Sequence, residues 1–360
     1  MTPSPTASQV LSELAPAAGL SPVVAPFSGR LADGSRPPLA QSLAEHPLLM
    51  APMAGVTDAA YRLMARAGGA GLAYSEMVSC AGLHYGEKSW ELALPAPEEP
   101  DLAVQLFGTR PELFSESAAR LVERMGDRLA LIDVNMACPA SKVVRKGEGS
   151  ALMDEPALAA SIVRSCVEAA PGVPVTVKIR RGRRMGEECA PEFARAMADA
   201  GANAVAVHGR FADQMYHGQA DWGVIDRVAD AAGVPVIGSG DVEGPEAAAR
   251  MLSQTAATAV MVARGSYGDP WAFSRAEALL AGRADRVPTD VERVCAFACH
   301  VRLLEATGAH LKRARSLSGW FFRGMPDAGR WRAEAMACST AEEFLDVAGR
   351  LLVALGERGE

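Results

Sequence analysis

No apolar run in the 360 residues approaches the roughly 18 that a helix needs to cross a bilayer, so a membrane span is not supported. The N-terminus lacks a basic region leading into a hydrophobic stretch, which removes the case for a secretory signal, and the chain is expected in the cytoplasm. Positive charge is not in excess either. A net charge of −7 argues against a dedicated nucleic-acid binder, although it says nothing about local patches. Seven cysteines, odd in number and scattered from Cys80 to Cys338, do not form the pattern of a disulfide framework. Cys295 and Cys299 lie four apart beside His300, but no second pair accompanies them and no metal site is expected. No G-x-G-x-x-G follows an early strand-like run, so a Rossmann nucleotide domain is not indicated.

What is present is a hydrophobic fraction of 49%, enough for a folded chain with one large domain and a smaller one. Residues 1–45 are rich in Pro, Ser and Ala with little periodicity, and are expected to be a flexible or surface-draped extension whose role the sequence does not reveal. From Leu48 onward, strand-like runs alternate with helical patterns. The runs are Leu48–Ala51, Ala70–Tyr74, Leu102–Leu106, Leu129–Val134, Val173–Ile179, Ala204–Val207, Val234–Ile237 and Ala259–Val262. Between them, Asp58–Ala67, Pro111–Met125, Glu155–Ala169, Pro191–Ala200, Asp221–Ala232, Gly244–Leu252 and Pro270–Leu280 mostly space apolar residues by three and four. Eight such units predict an α/β fold, a (β/α)8 TIM barrel over 46–285, followed by a small C-terminal helical domain over 286–360. A doubly wound sheet is the alternative, and the weak stretch between Tyr74 and Asp101 leaves room for an irregular excursion.

In a parallel barrel, chemistry collects at the carboxyl ends of the strands. Those positions hold Pro52 and Met53, Gln105, Asn135 and Cys138, Lys178 and Arg180, His208 and Arg210, Gly238-Ser239-Gly240-Asp241, and Arg264-Gly265. The last two groups are glycine-rich turns leading into helices, where backbone amides converge as they do on a phosphate; the bland alternative is a pair of tight turns. Lys178 ends an apolar run and suits the electron-rich edge of a flavin, a Schiff base of the aldolase kind, or a rim salt bridge. His208 suits a phosphate or flavin oxygen, or a neighbouring loop carbonyl. Cys138 reads either as a presented thiol or as a small core residue.

These residues resemble those of the FMN-dependent tRNA-dihydrouridine synthase family over roughly Leu48 to Gly329. The resemblance is carried by Leu49-Met50-Ala51-Pro52-Met53-Ala54-Gly55-Val56-Thr57-Asp58, Gln105-Leu106-Phe107-Gly108, Asp133-Val134-Asn135-Met136-Ala137-Cys138-Pro139, Lys178-Ile179-Arg180, His208-Gly209-Arg210, Gln214-Met215-Tyr216, Ala220-Asp221-Trp222, Gly238-Ser239-Gly240-Asp241 and Arg264-Gly265. It implies reduction of selected tRNA uridines with NADPH, or NADH, as electron source. Pro52, Met53, Gln105, Lys178, His208, Gly238, Ser239, Gly240, Asp241, Arg264 and Gly265 would hold FMN, and Asn135, Arg180, Arg210 and Gln214 would face the substrate. Hydride would pass from flavin N5 to C6 of the uracil, while Cys138 protonates C5. The target base would have to leave its stack.

Departures from the family pattern are Ser239 where Asn is common, Phe211-Ala212 where Thr-Arg is common, and Ser316-Leu317 where Lys-His precedes the aromatic pair. Arg181, Arg183 and Arg184 join Lys178 and Arg180 in one basic cluster expected to meet tRNA. Lys312, Arg313, Arg315, Arg323, Arg330 and Arg332 form another, with only Asp327 opposing them over 310–332. Lys142, Arg145 and Lys146 are expected to face RNA phosphates or a mobile loop rather than the Cys138 thiol, which must stay protonated. Trp320-Phe321-Phe322 is expected in a helical core. A monomer is expected, and the modified uridine is not legible. An FMN reductase of small molecules, a lysine Schiff-base aldolase and a noncatalytic tRNA binder compete with this reading.

Overall fold

Residue identity alternates along each strand in a way that gives the sheet two different faces. Val175, Val177 and Ile179 of one strand join the larger apolar core, as do Val205 and Val207 of the next, while Thr176, Lys178, Arg180, Ala204, Ala206 and His208 take the opposite face. The outer face packs against helices. The inner face is lined by Leu49, Leu72, Tyr74, Ala103, Leu131, Ala204, Ala206, Ile237, Ala259 and Met261, a second and smaller core. The computed structural model describes residues 5–28, 31 and 35–357.

Nine strands are present among the described residues: β1 (Leu48–Met50), β2 (Leu72–Ala73), β3 (Val78–Ser79), β4 (Leu102–Phe107), β5 (Leu129–Met136), β6 (Val175–Gly182), β7 (Ala204–Phe211), β8 (Val236–Ser239) and β9 (Ala259–Val262). Every pairing between them is parallel, in the order β2-β1-β9-β8-β7-β6-β5-β4-β3. The sheet curls far enough that Tyr74, directly after β2, bridges Ala103 of β4. The protein is thus an α/β fold with a curled, wholly parallel sheet. The expected run Ala70–Tyr74 holds β2 alone, and β3 lies in the weak stretch beyond it; between them Ser75 replaces ladder bonds, its amide donating to Ala103 O and its Oγ accepting from Gln105 N. Two short helices, Cys80–Tyr85 and Trp90–Ala93, occupy the stretch that carried weak signals.

The helices between strands fall where apolar spacing and caps put them. Pro111–Met125 starts on proline and stops at Gly126 with φ +53°. Asp58 caps Ala59–Ala67 by accepting from Tyr61 N at 2.8 Å. The segment before Leu48 contains regular structure. Ala7–Leu14 is a helix closed by a Thr6–Gln9 capping box, and it buries Ala7, Val10 and Leu11 against the helix Asp290–Ala306. Phe27, Leu39 and Leu43 join the inner core, so the described part of this segment is packed structure; the remainder lies outside the described residues.

At the other end of the chain, Asp290–Ala306, Arg313–Phe321, Ala328–Ala337 and Ala341–Gly356 are helices. Phe297 meets Phe321, Phe322 and Phe344 edge-on, and these rings belong to the same continuous core as the sheet's outer face. Gly268 lets the two layers touch, since a Cβ there would lie 2.6 Å from the Trp320 carbonyl carbon. Among the described residues no helix is long and apolar enough to cross a membrane.

Candidate functional site

The carboxyl ends of the strands surround a cavity of about 570 Å³, within the range of small-molecule and cofactor sites. Its wall brings together Pro52, Met53, Gln105, Asn135, Cys138, Lys178, Arg180, His208, Ser239, Gly240, Asp241 and Arg264 from the expected set. Parallel register explains part of the convergence: Asn135 stands beside Lys178 across β5 and β6, and Arg180 beside His208 across β6 and β7.

Lys178 carries the one ammonium on the cavity floor. Desolvation pushes it down to about 8, Arg180 adds to the effect, and Asp133 and the Cys138 thiol oppose it. Arg180 is spent largely on backbone: Nε donates to Ala137 O at 3.0 Å, and Nη1 donates to Phe211 O and Met215 O, each at 3.0 Å. It therefore ties the Cys138 loop to the loop after β7. His208 is held far below the usual imidazole range by burial and by the charges of Lys178, Arg180, Arg210 and Arg264. Its Nδ1 accepts from Arg210 N at 3.3 Å, so the neutral ring carries its proton on Nε2. Nε2 lies beside Gly240, where a Cβ would sit 3.4 Å from it and 2.9 Å from Ala220 Cβ.

The cradle around Gly240 is braced from behind. Asp241 adopts φ +53°, uncommon for a residue with a side chain, and is held there by Arg210 Nη1 at 2.6 Å and by the amide of Ala220 at 2.7 Å. Trp222 Nε1 donates to Gly240 O at 2.9 Å. Arg210 thus does not reach the cavity; its remaining donors go to His217 O and Gly218 O. Gln214 is likewise turned to its own loop, donating to His217 O and Gln219 O. Gly238 and Gly265 are packing glycines behind the wall. A Cβ on the first would strike Met251 Sδ at 2.5 Å, and on the second Val242 O at 2.3 Å.

The basic cluster at the end of β6 and just beyond it is not free charge. Arg181 pairs with Glu188 at 2.5 Å and Asp221 at 3.3 Å, Arg183 with Asp154 at 3.5 Å, and Arg184 with Glu187 at 3.1 Å. In the second cluster Arg313 bridges Asp58 and Glu76, both at 3.0 Å, and Arg315 donates to Cys338 O. Lys312 is exposed, as are Lys142, Arg145 and Lys146 beside the Cys138 loop. The counting of charges along the sequence missed the carboxylates because most come from other elements.

Sequence reasoning also missed Tyr216 and Tyr267. Tyr216 is exposed at the rim between Arg180, 5.9 Å from its ring centroid, and Arg264, at 5.0 Å. Tyr267 lines the cavity and stacks on Trp320 at 4.1 Å, so the Arg313–Phe321 helix backs part of the wall. Extending the strand-end rule by two residues past Arg264-Gly265 would have included Tyr267. Cys295, Cys299 and His300 are absorbed by the helix Asp290–Ala306, where burial pushes the Cys299 thiol up to about 12 and the His300 ring down to about 3.

A curled parallel sheet with a cavity at its strand ends, lined by Lys178, Arg180, His208 and Arg264, defines an α/β protein with a cationic site of small-molecule size. A family model described as dihydrouridine synthase (Dus) matches residues 49–354, and the chain belongs to that family. It is 36% identical over 304 residues to the probable tRNA-dihydrouridine synthase 1 of Synechocystis sp., covering 83% of this chain and 84% of that one. It is also 36% identical over 303 residues to the tRNA-dihydrouridine synthase B of Xanthomonas axonopodis pv. citri, with 83% and 90% covered. Against tRNA-dihydrouridine synthase B of Pseudomonas aeruginosa, identity is 35% over 292 residues, with 80% and 87% covered.

Proposed function

We propose that this chain is a cytoplasmic, monomeric, FMN-dependent reductase of uridine in tRNA, with NADPH or NADH as electron source. In this reading residues 46–285 form a (β/α)8 barrel and residues 286–360 a helical region that docks the tRNA body. The observation that carries it is the meeting, in one cavity of a dihydrouridine synthase family member, of Cys138 with Lys178, His208 and Arg264.

The residues fit a flavin mononucleotide. Gly240 brings the backbone close beside His208 Nε2 in the cavity wall, and Arg264 adds a guanidinium to the same wall. A neutral His208 donates without adding a fifth charge to the four cations around it. Gln105, Pro52 and Met53 would hold the ring system, with Lys178 at its electron-rich edge. When bound, FMN would supply the hydride equivalent for C6 of uracil.

The chain's own residues do the rest. Asn135 and Arg180 orient the base, and Arg180 has Nη2 in reserve after its three backbone bonds. Cys138 holds a proton for C5, and Lys178 stabilises charge that develops as the double bond is lost. Lys142, Arg145 and Lys146 provide exposed cations for RNA phosphates next to the thiol-bearing loop.

The purified protein should be yellow, and NADPH should bleach its flavin absorbance. Cys138→Ala should keep the flavin and slow uridine reduction by about 10²- to 10⁴-fold. Colourless protein, or wild-type turnover by that variant, would overturn the reading. Flavin bleaching with no dihydrouridine missing from the tRNA of a deletion strain would instead move the substrate to a small molecule.

A further inference from the structure

Beneath the cavity, Asp133 is fully buried in β5 and outside the cavity wall. Thr176 Oγ1 donates to its Oδ1 at 2.6 Å, and Gln105 Nε2 donates to its Oδ2 at 2.6 Å. Gln105 Oε1 in turn accepts from Asn135 Nδ2 at 2.7 Å. Asn135 Oδ1 then accepts from the amides of Ala137 at 3.2 Å and Cys138 at 2.9 Å. Register brings these groups together: Gln105, Asp133 and Thr176 are direct neighbours across β4, β5 and β6, and Asn135 lies two residues on along the same face.

The direction of this chain of bonds is fixed from both ends. Backbone amides only donate, so Asn135 must turn its oxygen to Cys138 and its amino group to Gln105. Gln105 must then give its oxygen to Asn135 and its amino group to Asp133, which as a carboxylate only accepts. Flipping either amide would set like groups against each other in a buried site, where an unmade bond is costly.

We propose that Asp133 is a positioning residue: it fixes the amide orientation of Gln105 and Asn135 and, through them, the placement of the loop that presents Cys138. The inference rests on Cys138 acting at the substrate, as proposed above. Orientation rather than charge is the essential property. Burial raises the Asp133 carboxyl above its ordinary range, while Gln105, Thr176 and Lys178 oppose the rise. A proton on Oδ1 would face the Thr176 hydroxyl, which is able to accept it, and Oδ2 would still receive Gln105.

Two variants separate these properties. Asp133→Asn keeps an oxygen for Gln105 and turns its amino group to Thr176, whereas Asp133→Leu removes the acceptor; both remove the charge near Lys178. With the leucine variant, kcat for uridine reduction should fall about 10- to 100-fold while KM for tRNA stays within about threefold. The asparagine variant should stay within about threefold of wild type in both. Alkylation of Cys138 by iodoacetamide, followed by peptide mass spectrometry, gives a readout independent of turnover. The rate should rise at least about fivefold in the leucine variant and change less than about twofold in the asparagine variant. An asparagine variant as impaired as leucine, or a leucine variant with wild-type kcat and alkylation, overturns the proposal. If leucine does not fold, asparagine decides alone: near-wild-type rates support the relay and a loss beyond about tenfold overturns it. Wild-type protein inactive on tRNA would defeat the functional reading, and the alkylation contrast would still decide the role of Asp133.

Discussion

Lys178→Met should make the ligand-free protein more stable at neutral pH while stripping it of activity. The ammonium is pushed from its ordinary 10.5 down to about 8, first by desolvation and then by Arg180. Holding that charge in the folded state therefore costs about 3 kcal/mol, given 1.36 kcal/mol for each tenfold change in proton affinity. Because the folded value lies below the unfolded one, the penalty is complete below about pH 8 and disappears as pH rises toward about 10.5. Methionine keeps most of the apolar stem and removes the charge. The shift already includes the opposing attraction of Asp133, so the expected gain at pH 7 is about 3 kcal/mol. Paired urea denaturation of wild type and variant at about pH 7, 8.5 and 10 measures the gap, and alkaline titrations common to both proteins cancel. The gap should shrink to about 1 kcal/mol at the highest pH, while uridine reduction falls at least about 100-fold. A variant less stable than wild type at pH 7, or a gap that ignores pH, would refute the idea that the cavity floor holds a desolvated ammonium.

Gly240→Ala places a Cβ 2.9 Å from that of Ala220 at φ +107°; it should cost about 1–3 kcal/mol and weaken FMN binding, and unaltered affinity in a fluorescence titration would count against the cradle. Arg313→Ala removes the ion pairs to Asp58 and Glu76 that join the C-terminal helices to the loops after β1 and β2. With the side chain partly solvated, a loss of about 1–2 kcal/mol is expected in thermal unfolding, and no loss would make the latch ornamental. Replacing Lys142, Arg145 and Lys146 together by Ala should flatten the salt dependence of tRNA affinity by about 2–3 in logarithmic slope. Reversing Arg183 and Arg184 to Glu should change that slope by less than about 1, since their charge is already paired; the opposite ranking would return the cluster after β6 to the interface.

Elements with strong local determinants were legible in the sequence. Pro111–Met125 has proline at its start, glycine after its end and an apolar stripe between, and it forms over those residues. Strand ends were legible too, because polar residues interrupting apolar runs had nowhere else to go in a parallel fold. Arg210 was misread because its spacing looks like that of a site residue, while its partner Asp241 is 31 residues away and visible only after folding. The charge of Arg181 and Arg183 was overcounted for a related reason, since Asp221 and Asp154 reach them across loops, whereas the Glu187 that pairs with Arg184 stands only three residues on. The helix Ala7–Leu14 escaped notice because its three buried residues are few and its partner helix lies nearly 300 positions downstream. Asp133 drew no attention as a chemical group, since one carboxylate inside an apolar strand reveals neither the donors awaiting it nor their direction.

Phe27, Leu39 and Leu43 pack in the inner core with Leu49, Leu131 and Ala204, at the strand ends opposite the cavity. Arg36 fastens the same segment by donating to Leu129 O and Ala130 O at the start of β5. The space inside the curled sheet is accordingly a cul-de-sac. Under the proposed function, the nicotinamide donor and the RNA would both approach the flavin from the carboxyl ends of the strands, and the two would take turns there. Initial-rate plots at varied NADPH should then give parallel lines for different tRNA concentrations, a kinetic habit that follows from Phe27, Leu39 and Leu43 filling the opposite end of the sheet.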